Sequence, residues 1–132
     1  MDDKNADYYL IESKQDIAFF LVRTNGLHDG YIVRIQYEHC GHSTGNPHRI
    51  NPELSELRIH IMVTSIQDAV VEMVFENLSE WQIKDNSFNI VDTSVSFADN
   101  GTVIWADDYS TNPEVRENGS YVIARKMKWR FL

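Results

Sequence analysis

The sequence predicts a mainly β fold, an antiparallel meander or sandwich of about six strands with one N-terminal helix. Two stretches, 54–77 and 121–131, alternate apolar and polar residues with period two, which is typical of half-buried strands. Turn residues separate further short apolar runs, and one segment carries the signals of a helix start and end. The 132-residue chain has the length of one domain, so residues 1–132 are interpreted as a single domain.

The helix is predicted near the N-terminus, over 17–22. Ser13 and Asp16 fit an N-cap, and Asn25-Gly26 fits a left-handed C-cap. The aromatic and β-branched residues within 14–24 fit a buried strand as well, in which case Asn25-Gly26 is a turn. We favour the helix, because 27–30 then connects it to the next strand by a short polar segment.

A β-hairpin is predicted over 54–77, with the mostly polar stretch 65–68 as its loop. A lone hairpin is marginal in water, so its apolar face needs a second layer. We expect that face to form one buried cluster with the last strand; the members are Ile59, Ile61, Val71, Met73, Phe75, Ile123 and Trp129.

Shorter strands are predicted at 31–37, 88–90 and 94–97, and Asn100-Gly101 predicts a second hairpin that pairs 95–97 with 103–105. Residues 78–81 suggest a turn or short helix that buries Trp81. Long polar loops are expected at 39–53 and 107–119. In the last strand, one predicted face holds Tyr121, Ile123, Met127, Trp129 and Phe131, and the other holds Ala124, Lys126, Lys128 and Arg130.

The charge balance is acidic: 20 Asp and Glu against 12 Lys and Arg give a net charge of −8. Such a field repels phosphate backbones and favours a basic protein partner over nucleic acid, although acidity also serves solubility alone. The single Cys40 excludes an intramolecular disulfide. A polar, acidic N-terminus and the absence of an apolar run of ~20 residues predict a cytoplasmic protein without a membrane partner. The oligomeric state is left open.

The loop 39–48 contains four side chains that can ligate metals: His39, Cys40, His42 and His48. Structural zinc sites usually pair a CxxC motif with a second ligand pair, and this spacing is absent. A solvated, Gly-rich loop is the favoured interpretation of the stretch, so no cofactor is predicted.

His28 and Asp29 form a candidate polar site beside the first long strand, since a neighbouring acid can orient an imidazole. The alternative is that Asp29 shapes a turn and His28 has a structural hydrogen bond.

A second candidate site combines aromatic and acidic residues: Trp105, Asp107, Asp108 and Tyr109. This composition suits a cationic partner, but it also fits a solvated face, with Trp105 in the core. The basic stripe Lys126, Lys128 and Arg130 is explained as protection of an edge strand against aggregation.

Common catalytic motifs such as GxSxG, HExxH and GxGxxG are absent from the sequence, which favours a protein that is not an enzyme. The segment Leu27–Ile35, LHDGYIVRI, followed by β-hairpins and tryptophan-bearing strands, resembles small bacterial β-rich families of uncharacterised function, some of them similar to immunity proteins of polymorphic toxin systems. That resemblance implies tight protein binding without catalysis.

Two hypotheses follow. The leading one is a cytoplasmic protein-binding domain, such as an immunity protein that neutralises a basic toxin through residues 105–109. The alternative is a small enzyme or metal-dependent hydrolase that uses His28 and the loop 39–48.

Overall fold

A computed structural model of the chain describes residues 7–39, 55–84, 90, 93–107 and 119–132. Within these ranges the chain forms one α-helix, α1 (Lys14–Arg23), and seven strands: β1 (Tyr9–Leu10), β2 (Gly30–His39), β3 (Ser55–Val63), β4 (Ala69–Gln82), β5 (Ser94–Phe97), β6 (Val103–Ala106) and β7 (Tyr121–Phe131). This confirms the predicted mainly β fold with one helix. No helix in the described ranges is long and apolar enough to cross a membrane.

The strands form a single antiparallel sheet in the order β2-β3-β4-β7-β6-β5, with the short β1 paired to β7. The predicted central hairpin is present as β3 and β4, with Ile61 opposite Val71 and Ile59 opposite Met73. The second predicted hairpin is present as β5 and β6, and Gly101 adopts the left-handed backbone (φ 86°) that the turn requires. The strand order places β7 inside the sheet rather than at its edge.

Residues 14–23 are helical, which resolves the choice between helix and strand. The Ser13 hydroxyl accepts a hydrogen bond from the Asp16 N–H at 3.1 Å, as an N-cap does. At the other end, the Thr24 hydroxyl donates to the Phe20 carbonyl at 2.7 Å. Phe20 is fully buried edge-on against Trp129, with 5.2 Å between ring centroids, so α1 supplies the second layer that the hairpin needed.

The predicted core is confirmed for six of its seven members, because Ile59, Ile61, Val71, Met73, Phe75 and Trp129 are all fully buried. The seventh, Ile123, is only partly buried. Leu78 pairs with Ala124 but Glu80 pairs with Ile123, so β4 contains one extra residue at this point. In the first half of β7 it is Val122 and Ala124 that join the core, so the predicted facing of that half is wrong.

Bulges also affect β2 and the predicted turn at 78–81. In β2 the register shifts between Ile32 and Arg34, so the strand does not keep one apolar face from end to end. Residues 78–81 continue β4 instead of forming a turn or helix, and Trp81 is 37% exposed rather than buried. The predicted strand at 88–90 lies largely outside the described residues; Ile90 forms one antiparallel bridge with Gly30.

Candidate functional site

His28 and Asp29 lie in a tight turn between α1 and β2. The Ser65 and Thr64 hydroxyls donate to the backbone carbonyls of His28 and Asp29, at 2.6 and 2.8 Å. Asp29 has a left-handed backbone (φ 57°), and its N–H donates to the Ile90 carbonyl at 2.8 Å. The turn therefore locks the start of β2 to the hairpin loop between β3 and β4.

The glycine that follows completes this turn. A Cβ at Gly30 would lie 2.7 Å from the Leu27 carbonyl oxygen and 2.9 Å from Ile61 Cγ2, so no larger residue fits without movement. The side chains of His28 and Asp29 point to solvent, 43% and 57% exposed, with 3.5 Å between Nε2 and Oδ2. The backbone of the LHDG segment has a clear structural role, and its two polar side chains form an exposed surface pair.

Trp105 does not belong to a binding surface. It is fully buried beside Phe75, with 6.3 Å between ring centroids, because β6 is an internal strand whose alternate residues face the core. Asp107 accepts a hydrogen bond from the Ser120 N–H at 3.1 Å and so helps to join the ends of β6 and β7. Asp108 and Tyr109 lie outside the described residues. The predicted aromatic and acidic site therefore loses its aromatic anchor.

The candidate metal ligands are mostly beyond the described ranges. His39 is the last residue of β2, and Cys40, His42 and His48 follow it outside those ranges. Among the described residues, no group of three or more His, Cys, Asp or Glu side chains is placed to hold a metal ion.

An exposed apolar surface lies elsewhere, along β2 and the end of β4. We call it the edge strip; its members are Ile35, Tyr37 and Trp81, which are 42%, 47% and 37% exposed. Ile35 and Tyr37 pair with Ile59 and Leu57 of β3, both fully buried, so the strip extends the core face to the edge of the sheet.

Two aromatic rings dominate the edge strip. Tyr37 and Trp81 stack with 5.6 Å between ring centroids and 29° between planes. The rings belong to β2 and β4, the strands on either side of β3, so their position is set by the sheet rather than by a loop. Sequence reasoning missed Trp81 because Phe75, Leu78 and Trp81 are three residues apart, and the extra residue in β4 hides the period-two alternation of a strand.

A row of glutamates crosses the other face of the sheet at the same end. Glu38, Glu56 and Glu76 are directly opposite one another on β2, β3 and β4. Like charges in such positions repel. The repulsion is partly offset by Arg58, 3.4 Å from Glu56, and by Lys128, 3.2 Å from Glu76.

The same face carries a charged cluster centred on Glu72, whose side chain is 3% exposed. Its carboxylate accepts hydrogen bonds from the Tyr8 hydroxyl, from His60 Nε2 (2.7 Å) and from Arg130 Nε (2.9 Å), and Arg58 lies 3.4 Å away. Burial by itself would raise the pKa of Glu72. The hydrogen bonds from Tyr8 and His60 and the charges of both arginines outweigh burial and lower this pKa to about 2.

Tyr8 covers the cluster from outside the sheet. Lys128 and Arg130 lie over its ring, 4.7 and 4.5 Å from the centroid. Burial, and then the hydrogen bond to Glu72, raise the pKa of the Tyr8 hydroxyl, so it remains a donor. The explanation of the β7 cations as edge protection is therefore wrong for these two residues, which stand on an internal strand and hold the N-terminal segment on the sheet.

Comparison with protein-family models, with curated proteins and with solved structures found no match to this chain.

Proposed function

We propose that the chain is a protein-binding domain that holds a basic protein partner against the edge strip. The observation that carries this proposal is the half-exposed stack of Tyr37 on Trp81. Tyrosine and tryptophan are enriched among the residues that dominate binding energy at interfaces, because they bury a large area with few rotatable bonds.

The surroundings of this stack fit an interface. Ile35 continues the apolar surface along β2, and a contiguous exposed apolar patch on a soluble domain commonly marks a binding site. The strands beneath are fixed by a fully buried core, so a partner meets a preorganised surface and less conformational entropy is lost on binding.

The charge of the partner follows from two observations. The chain carries a net charge of −8, which attracts cationic proteins over a distance of about 8 Å, the Debye length at physiological salt. The glutamate row brings three carboxylates to the same end of the sheet as the aromatic stack. Basic side chains at the rim of the interface would relieve the repulsion within that row.

These features, together with the resemblance of the LHDG segment to immunity-protein-like families, favour a cytoplasmic immunity protein as the biological role. In that role the domain neutralises a basic toxin by covering a surface that the toxin needs. No catalytic step is required of the immunity protein.

The test uses the product of the gene immediately upstream as the candidate partner and measures association and dissociation rates at two salt concentrations. We expect association to slow as salt rises, and Trp81→Ala and Tyr37→Ala to act mainly by speeding dissociation. Val22→Ala is the matched control, because Val22 is 78% exposed on the helix away from the edge strip. Equal effects of all three variants, or failure of a basic candidate to bind, would argue against the proposal.

A further inference from the structure

β2 forms one outer edge of the sheet, and apart from its bulge at Val33 it lacks the lysine or proline that commonly protects an edge. Three apolar side chains of this ten-residue strand are more than 40% exposed. Long apolar edges pair readily with other strands, because their backbone groups on one side have no strand partner. Among the described residues, no strand pairs with the outer side of β2, which forms one β-bridge, from Gly30 to Ile90.

The residues after the β2 bulge are complementary to themselves. On the polar face, Arg34 Nη2 donates to Gln36 Oε1 at 3.1 Å, and Gln36 Nε2 donates to Glu38 Oε1 at 2.7 Å, so one row carries a positive end and a negative end. Two such rows placed antiparallel bring opposite charges together.

The register follows from symmetry. A two-fold axis perpendicular to the sheet keeps each residue and its copy on the same face, so the axis must pass through a residue. An axis at Ile35 places Arg34 opposite Gln36, and an axis at Tyr37 places Gln36 opposite Glu38. Only an axis at Gln36 sets Arg34 of each copy against Glu38 of the other, and it also sets Ile35 against Tyr37 on the apolar face.

We infer that the protein forms a two-fold dimer by antiparallel pairing of β2 with β2 of a second copy, centred on Gln36. The pairing joins two sheets into one continuous sheet and covers part of the edge strip. Because only a short stretch of each strand takes part, the contact falls in the size class below about 1,200 Å², which is typical of transient association.

The dimer has a consequence for the proposed partner. A second copy and a basic partner compete for the edge strip. The dimer therefore covers part of the binding surface until the partner displaces the second copy. The dimer itself does not depend on the proposed function, and it can be tested without any partner.

Sedimentation velocity over a concentration series, with charge-reversal variants, tests the inference. Arg34→Glu and Glu38→Arg should each weaken the dimer about tenfold or more, because both symmetric pairs become repulsive. An equimolar mixture of the two variants should dimerise again, because every Glu then faces an Arg. The double variant should also recover wild-type association. Lys14→Glu, on the exposed start of α1, is the control for the change in net charge and should dimerise like the wild type.

Recovery in the mixture cannot come from a change in the fold of either variant, so it supports the pairing directly. Circular dichroism of each variant shows whether the sheet is intact. A wild-type protein that stays monomeric at every concentration would overturn the inference, and so would single variants that dimerise unchanged or a mixture that remains monomeric.

Discussion

Replacement of Glu72 by glutamine tests how the charged face of the sheet is stabilised. Glutamine keeps the shape of the side chain but removes the charge that faces Tyr8, His60 and the two arginines. The variant leaves Arg58 and Arg130 beside a neutral amide. We therefore expect a marked loss of stability at neutral pH, since the removal of one partner from a buried ion pair leaves the other partner uncompensated.

The magnitude follows from the pKa of Glu72. Its fall from 4.5 to about 2 corresponds to about 3 kcal/mol of stabilisation, at about 1.4 kcal/mol per pKa unit. Because the pKa is lower in the folded state than in the unfolded state, this contribution is complete above pH 4.5. It is lost as the pH falls from 4.5 towards 2. The difference between wild type and variant should shrink over the same range.

Urea unfolding followed by tryptophan fluorescence measures the effect, because Trp105 and Trp129 are fully buried. With a slope of roughly 2 kcal/mol per M, the midpoint of Glu72→Gln should fall by about 1.5 M at pH 7. Glu76→Gln is the matched control, since Glu76 is a more exposed glutamate on the same strand, and its pair with Lys128 should contribute at most about 1 kcal/mol. Equal losses in the two variants, or a Glu72→Gln difference that persists at low pH, would refute the reasoning.

Three further substitutions test separate parts of the account by the same unfolding assay. Tyr8→Phe removes a hydrogen bond to a charged carboxylate and should cost about 1.5–3 kcal/mol, with the loss confined to pH values at which Glu72 is ionised. Gly30→Ala forces a Cβ against the Leu27 carbonyl and should lower the free energy of unfolding by about 1–3 kcal/mol. An unchanged midpoint would show that the turn can move to accommodate a Cβ. Trp105→Ala should cost about 3–5 kcal/mol, and a well-folded variant that loses only partner binding would contradict its place in the core.

Local patterns in the sequence predicted most of the strands and both hairpins. Alternation within β3, β4 and β7 is visible without any structure, and Asn100-Gly101 identifies its own turn. Ser13 and Asp16 likewise predicted the start of α1. These features depend on residues that are close together in the chain. Hydrophobic alternation, turn residues and helix-capping residues are all patterns of this local kind.

The order of the strands was not predictable in this way. The position of β7 between β4 and β6 depends on pairing between distant segments, and local alternation contains no information about it. The basic residues Lys128 and Arg130 were therefore assigned to an edge. Irregular strands had a similar effect: β4 contains one extra residue between Leu78 and Glu80, and the buried side of β7 changes between Ala124 and Met127.

The tryptophans show the same limit. Trp105 lies on a four-residue strand, too short for its pattern to show which side is buried, and Trp81 lies past a bulge. Trp105 lies in the core, which was the alternative to the predicted binding site, and Trp81 is exposed where burial was predicted. The sequence does contain a signal for Glu72: it is the one charged residue among the apolar residues 69–75 of β4, and it lies opposite His60 within the predicted hairpin.

The most direct test of the proposed binding surface is hydrogen–deuterium exchange of the protein with and without saturating amounts of the basic candidate partner. If the edge strip is the interface, amides of residues 30–39 and of the last residues of β4, around Trp81, should exchange more slowly in the complex. The exchange rates of the α1 amides should not change. Protection that maps to α1 or to the hairpin of β5 and β6, with β2 unaffected, would contradict the central claim.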